Sequence, residues 1–220
     1  PDNYQEHPVE RSAHRTSPTN IGLYLLSNLS ACDFGYITNS KLIERSTNTL
    51  DTLHRMEKYR GHLFNWYDTI SLMPLSPRYI STVDSGNLVG SLLTLRQAIL
   101  KIPDTKILQE NIFEGILDTI GILREKVPDV SAIKKLHKEI RENYSTQAND
   151  VTSFKSYLDK IDQSIKEILL QSDLDTDEEG GWWPERLVEQ MKGIKQELLD
   201  FFPWLFLSPA PAKFETLLPD

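Results

Sequence analysis

Apolar residues recur at every third or fourth position through most of this chain, in runs separated by short polar breaks. The first run, "TSPTNIGLYLLSNLSACDFG", places Ser17 at a helix N-cap, Pro18 at the first helical position and Gly35 just past the end. Its Ile21, Leu25, Leu29 and Cys32 keep the spacing of one buried face. A second helix is predicted from about Ser40 to Tyr59, with Ile43, Leu50, Leu53 and Met56 inward. A third begins near Ser85, where Leu88, Leu92, Leu95 and Ile99 form a stripe and Gly86 and Gly90 would permit close backbone approach. A fourth, from about Thr105 to Val127, starts behind an Asp104 cap, buries Phe113, Ile116, Ile120 and Leu123, and stops at Pro128.

The second half is richer in lysine and glutamate. "SAIKKLHKEIRENY" turns Ile133, Leu136 and Ile140 inward, with Ser131 capping. The next run sets Val151, Phe154, Leu158, Ile161, Ile165 and Ile168 in heptad-like 3-4 alternation, which favours an intrachain hairpin over a coiled-coil dimer because so few heptads are sustained. A last helix, about Pro184 to Phe202, buries Leu187, Met191, Ile194 and Leu198. No segment alternates convincingly as a strand. About seven helices with mostly short connections predict antiparallel neighbours in an all-α fold. Residues 1–15 read as a linker, 16–205 as one all-α domain whose character changes at 128/129, and 206–220 as a linker to a further segment. The start at Pro1 marks the chain as a piece of a longer polypeptide.

One stretch departs from this pattern. "RGHLFNWYDTISLMPLSPRYISTVDSGNL", Arg60 to Leu88, packs aromatic and charged residues among prolines and glycines between two helices. Connections in compact domains usually run to about six residues, and longer ones tend to be functional. Sugar sites need flat apolar faces together with carboxylates, amides and arginines for hydroxyls. Phe64, Trp66 and Tyr67 can supply the faces; Asp68, Arg78, Asp84 and Asn87 can supply the polar groups. Equally, Phe64 and Trp66 can fill core and Asp84 can cap the third helix.

Composition narrows the classes further. Hydrophobic residues make up 39% and charged residues 25%, the balance of a soluble globular protein. A formal net charge of -8 argues against a sequence-independent nucleic-acid partner. Cys32 stands alone, so no intrachain disulfide is available, which fits a reducing compartment. No apolar run approaches the roughly 20 residues of a membrane span; "FFPWLFL" is short and broken by Pro203.

Metal and nucleophile motifs are thin. Asp173, Asp175 and Asp177 follow the first three EF-hand ligands, yet Glu178 replaces the turn glycine and Pro184 the twelfth-position glutamate. The histidines His7, His14, His54, His62 and His137 show no zinc spacing, and no cofactor is expected. "SAIK" matches Ser-x-x-Lys but is weak alone. Trp182 and Trp183 would form an exposed platform or staple the last helix; the staple is favoured.

"AHRTSPTNIGLYLLSNLSACDFGYI", "MEKYRGHLFNWYDT" and "PRYISTVDSGNLVGSLLTLR" resemble the cyclic β-1,2-glucan synthases, large bacterial inner-membrane enzymes. The likeness is strong over about residues 13–100 and loose beyond. It falls between the glycosyltransferase and phosphorylase-like parts, ahead of a glucoamylase-like segment expected to hold the catalytic glutamates. The resemblance implies part of an α/α toroid or a helical bundle, on the cytoplasmic face of the inner membrane. Trp66, Tyr67, Asp68, Arg78, Asp84 and Asn87 would then contact a β-1,2-linked glucan, with other domains of the parent polypeptide as partners. Catalysis would lie outside this chain. Two alternatives stay open: a free-standing glycoside hydrolase using Asp68 and Asp84 as its carboxylate pair, and a non-catalytic module docking on other domains.

Overall fold

The computed structural model describes residues 4–5, 11–126, 131–147, 150–171 and 182–207. Among them are seven α-helices and three antiparallel pairs of two-residue strands, so the fold is all-α. The chain divides into two compact units, Pro1–Ile107 and Leu108–Asp220.

The first unit holds helices α1 (Pro18–Asp33), α2 (Asn39–Arg55) and α3 (Thr82–Lys101). Each begins with a side chain accepting an otherwise orphaned amide: Ser17 from Asn20, Thr38 from Lys41 and Ser81 from Asp84. Gly35, at φ 73, lets the chain leave α1 in the left-handed region. Leu25, Leu42 and Leu95 form one core cluster, while Leu53, Met56, Leu63, Tyr67 and Leu88 form another.

Three expectations are corrected here. The cap of α3 is Ser81 rather than Asp84, which lies inside the first turn. In α2, Leu42 and Ser46 are 1% and 2% exposed, whereas Ile43 and Leu50 are 44% and 40% exposed. The small Ser46 occupies a buried position that a count of apolar residues passes over. Close backbone approach also belongs elsewhere: a Cβ on Gly86 or Gly90 would meet nothing within 4 Å, but on Gly22 it would lie 2.6 Å from Ser91 Oγ and 3.0 Å from Ser91 Cβ. Gly22 is therefore where α1 closes on α3. Gly22→Ala is expected to cost about 1–3 kcal/mol through overpacking, reduced by the roughly 1 kcal/mol that alanine gains in a helix. Urea unfolding of Gly22→Ala, with and without Ser91→Gly, checks this: the second change should restore most of the loss.

Short strands complete the unit. Strand β1 (Tyr4–Gln5) pairs with β2 (Arg11–Ser12) inside the stretch read as a linker. Strand β3 (Arg15–Thr16) pairs with β6 (Tyr67–Asp68), and β4 (Lys58–Tyr59) with β5 (His62–Leu63). Two residues per strand leave no alternation to detect, so these pairings were invisible to periodicity.

The second unit contains α4 (Asn111–Lys126), α5 (Ser131–Gln147), α6 (Val151–Gln171) and α7 (Trp182–Phe201). Helix α4 starts later than expected because Asp104 ends a separate 3-10 turn, Ile102–Asp104, which Thr105 closes by donating its amide to Ile102. Asp104 therefore caps nothing on α4. The predicted inward residues of all four helices do form one core, centred on Phe113, whose ring lies 5.0 Å from Phe154 and 5.6 Å from Tyr157. The heptad-like face of α6 is spent in that core, as an intrachain hairpin requires. Trp183 packs against it, while Trp182 is 49% exposed and meets Trp183 edge-on at 4.6 Å. The tryptophan pair is thus divided between staple and surface.

Helices α6 and α7 are also joined through charge. Lys195 Nζ lies 3.0 Å from Asp159 Oδ1 and 2.6 Å from Asp162 Oδ2, with Lys155 and Lys166 completing the network at 2.8 Å each. Burial pushes the Asp162 carboxyl up, but hydrogen bonds from Lys166 and Lys195 outweigh it and hold the group below its ordinary range.

Candidate functional site

The Arg60–Leu88 stretch is built rather than loose. Arg60 (φ 50) and Gly61 (φ 86) occupy the left-handed region consecutively, forming the two-residue turn between β4 and β5. Lys58 Nζ donates to Leu53 O at 2.5 Å and His54 O at 3.0 Å, tying the hairpin to the C-terminal carbonyls of α2. Beyond the hairpin, Asn65 N donates to Tyr79 O, Leu75 N to Trp66 O and Asp68 N to Met73 O. Pairing of β6 with β3, reinforced by Thr69 N donating to His14 O, fixes this fold-back on the segment leading into α1. The backbone polar groups of an irregular segment are thereby satisfied by protein rather than by water.

Tyr67 is the internal pillar. Its ring is fully buried, and its hydroxyl donates to Glu57 O at 2.6 Å while accepting from Phe64 N at 2.8 Å. Burial pushes this phenol up, so it remains a protonated donor at neutral pH. The tyrosine expected to offer a face to a ligand therefore sits in the core, with its polar tip occupied.

The remaining candidates fall into small groups. Trp66 is half-buried, with the Arg15 guanidinium 4.9 Å from its ring centre. Arg78 is exposed, bridged to Glu57 at 3.2 Å and set 6.0 Å from the Phe64 ring. Asp68 Oδ1 accepts from Ser71 N at 2.7 Å, Ser71 Oγ at 2.9 Å and Ile70 N at 3.0 Å, closing a turn on itself. Those donors, the Ser71 amide above all, hold the Asp68 carboxyl below the usual carboxylate range.

Asp84 and Asn87 come together through a residue that sequence reading missed. Thr19 Oγ1 donates to Asp84 Oδ1 at 2.5 Å and accepts from Asn87 Nδ2 at 3.1 Å, joining the first turns of α1 and α3. Burial pushes the Asp84 carboxyl up, but hydrogen bonds from Ser81, Thr19 and Ser17 outweigh it and keep the group ionised. At the next position along α3, His62 Nδ1 lies 3.2 Å from Ser85 Oγ, linking the β4–β5 hairpin to the same end of that helix. Nothing in the local sequence marks Thr19 as a site residue, because its partners stand 65 and 68 positions away.

Both carboxylates accept hydrogen bonds that favour their ionised form. The structure presents a fixed carboxylate and an exposed amide at the start of α3 and, in separate groups on the folded-back segment, an exposed arginine and a partly exposed indole. Among the described residues no three His, Cys, Asp or Glu side chains come together as a metal site, and no helix is long and apolar enough to cross a membrane. Asp173, Asp175, Asp177 and Glu178 lie outside the described residues, as does His7. A shallow groove of about 400 Å³ in the second unit, lined by Thr152, Lys155, Asp159, Lys160, Gln163 and Leu205, includes none of the candidates.

The motifs of this chain resemble those of the cyclic β-1,2-glucan synthases, and comparison with known proteins points to the same class. Over 144 residues the chain is 46% identical to cyclic beta-(1,2)-glucan synthase NdvB of Rhizobium meliloti (strain 1021). The match covers 64% of this chain and 5% of that protein's length. No family model matches the chain.

Proposed function

We propose that this chain is a glucan-recognising segment of a cyclic β-1,2-glucan synthase, contributing substrate contacts to a longer glycosyltransferase and transglycosylase. The identity to NdvB over 144 residues carries this reading. The geometry agrees with it: Trp66 offers part of an indole face, and Asp84, Asn87 and Arg78 offer an acceptor and donors suited to sugar hydroxyls. Asp68 and Tyr67 hold the segment in shape beneath them. The parent polypeptide would work at the cytoplasmic face of the bacterial inner membrane, and the helices of this chain would form part of its α/α toroid. In this reading bond cleavage belongs elsewhere in that parent: the motif resemblance puts the catalytic glutamates in a following segment, and Asp68 and Asp84 are both engaged by hydrogen bonds within the chain.

Calorimetry with linear β-1,2-gluco-oligosaccharides tests the proposal. The wild-type chain is expected to bind, and Trp66→Ala to bind about tenfold more weakly, the equivalent of ~1.4 kcal/mol. Turnover of those oligosaccharides by this chain, abolished in Asp84→Asn, would overturn the non-catalytic assignment. A second reading, docking on other domains of the parent, has one observation in its favour: Val89, Leu93 and Leu100 leave α3 with an exposed apolar stripe. Absence of sugar binding by the wild-type chain would favour that reading.

A further inference from the structure

We propose that the tip of the β4–β5 hairpin is a second contact of the same site, with Tyr59 stacking on one pyranose ring while Arg60 and His62 engage its hydroxyls. The inference rests on the glucan-binding reading and adds residues which that reading does not assign. Tyr59 is 52% exposed and takes no part in the core clusters of its unit, so packing does not account for its position. The Arg60 guanidinium lies 5.4 Å from the centre of the Tyr59 ring, a cation–π contact at the surface.

The tip is also held in place from both sides. Lys58 anchors its base to α2, and His62 reaches Ser85 in the first turn of α3, between Asp84 and Asn87 in sequence. An exposed aromatic ring flanked by a guanidinium and an imidazole is therefore tied to the end of α3 that carries Asp84 and Asn87. That combination suits a neutral sugar: C–H groups of a pyranose face lie on the ring, and adjacent hydroxyls accept from the guanidinium and exchange hydrogen bonds with the imidazole.

Calorimetry on the full chain with linear β-1,2-gluco-oligosaccharides separates this inference from its parent reading. Tyr59→Ala is expected to weaken binding about tenfold, and Tyr59→Phe to stay within about twofold of wild type, since the ring face rather than the hydroxyl makes the contact. Hydrogen exchange at Lys58–Leu63 should slow on adding sugar to wild type and change little in Tyr59→Ala. If Tyr59→Ala binds like wild type while Trp66→Ala loses affinity, the hairpin contact is overturned and the glucan reading stands. If the wild-type chain binds no oligosaccharide, both fall.

Discussion

Tyr67→Ala is expected to lower the stability of the chain by about 4 kcal/mol, in the range of ~3–5 kcal/mol found when large buried aromatics are truncated. Two losses combine. The ring is fully buried against Leu53, Met56, Leu63 and Leu88, so its removal leaves a cavity in the core of the first unit. The hydroxyl bridges Glu57 O and Phe64 N, and deleting it takes a hydrogen-bond partner from both backbone groups. Tyr67→Phe separates the two, because it keeps the ring and should cost only about 1–3 kcal/mol. Urea unfolding followed by far-UV circular dichroism measures both changes. Domain stability is only about 5–15 kcal/mol, so the alanine variant should also lose the defined geometry of its neighbours Trp66 and Asp68. Equal losses for the two variants would mean that the hydroxyl bridge alone holds the segment.

Tyr67 also shows where sequence reasoning stops. Its neighbours Trp66 and Asp68 are half-buried while it is not exposed at all, and composition treats the three as one aromatic and polar cluster. Which ring turns inward is decided by pairing of Tyr67–Asp68 with Arg15–Thr16, a contact between distant parts of the chain. The helices were legible for the opposite reason: their signals are local. Ser17 with Pro18 announces the start of α1, and the Phe154–Leu158–Ile161–Ile165 spacing announces the buried face of α6. Burial within a helix was legible only where apolar residues were the ones buried. On α2 the neighbouring helix accepts Ser46 and turns Ile43 out, since the fit between helices depends on size as well as polarity. The same limit sent the expected close approach to Gly86 and Gly90 instead of Gly22, because a glycine's role depends on what faces it.

The site was legible as a stretch and not as a geometry. Aromatic and charged content drew attention to Arg60–Leu88, and the motif resemblance pointed to the same residues. Thr19, which joins Asp84 to Asn87, lies inside a helix start whose Ser17 already explained the local pattern. Capping was one of two roles open to Asp84; Ser81, three positions earlier, takes it by accepting the α3 amide, while the Asp84 carboxylate accepts from Thr19. One polar residue more than capping requires is what makes this helix end a candidate for recognition.

In the second unit the largest single effect is expected from Phe113→Ala, a loss of about 3–5 kcal/mol. Phe113 is fully buried on α4, and its ring is shared among Phe154 and Tyr157 of α6 and Tyr144 of α5, at 5.0, 5.6 and 6.1 Å. Tilted aromatic contacts of this kind add ~0.5–1.5 kcal/mol beyond the area they bury. Truncation removes all three at once, and the rings around it are bulky and restrained by their own contacts, so the space cannot close. Tyr157 illustrates the restraint: burial pushes its phenol up to about 12, and its hydroxyl reaches Glu139 O at 3.4 Å. Phe113→Leu, which keeps most of the volume but no ring, should cost about 1–2 kcal/mol. Urea midpoints give the two losses, and hydrogen exchange along Val151–Ile165 locates them: α6 amides should exchange faster in the alanine variant than in the leucine variant. A loss below ~1 kcal/mol for Phe113→Ala would show that the α4–α6 packing rests on the aliphatic residues around Ile116 and Leu158 instead.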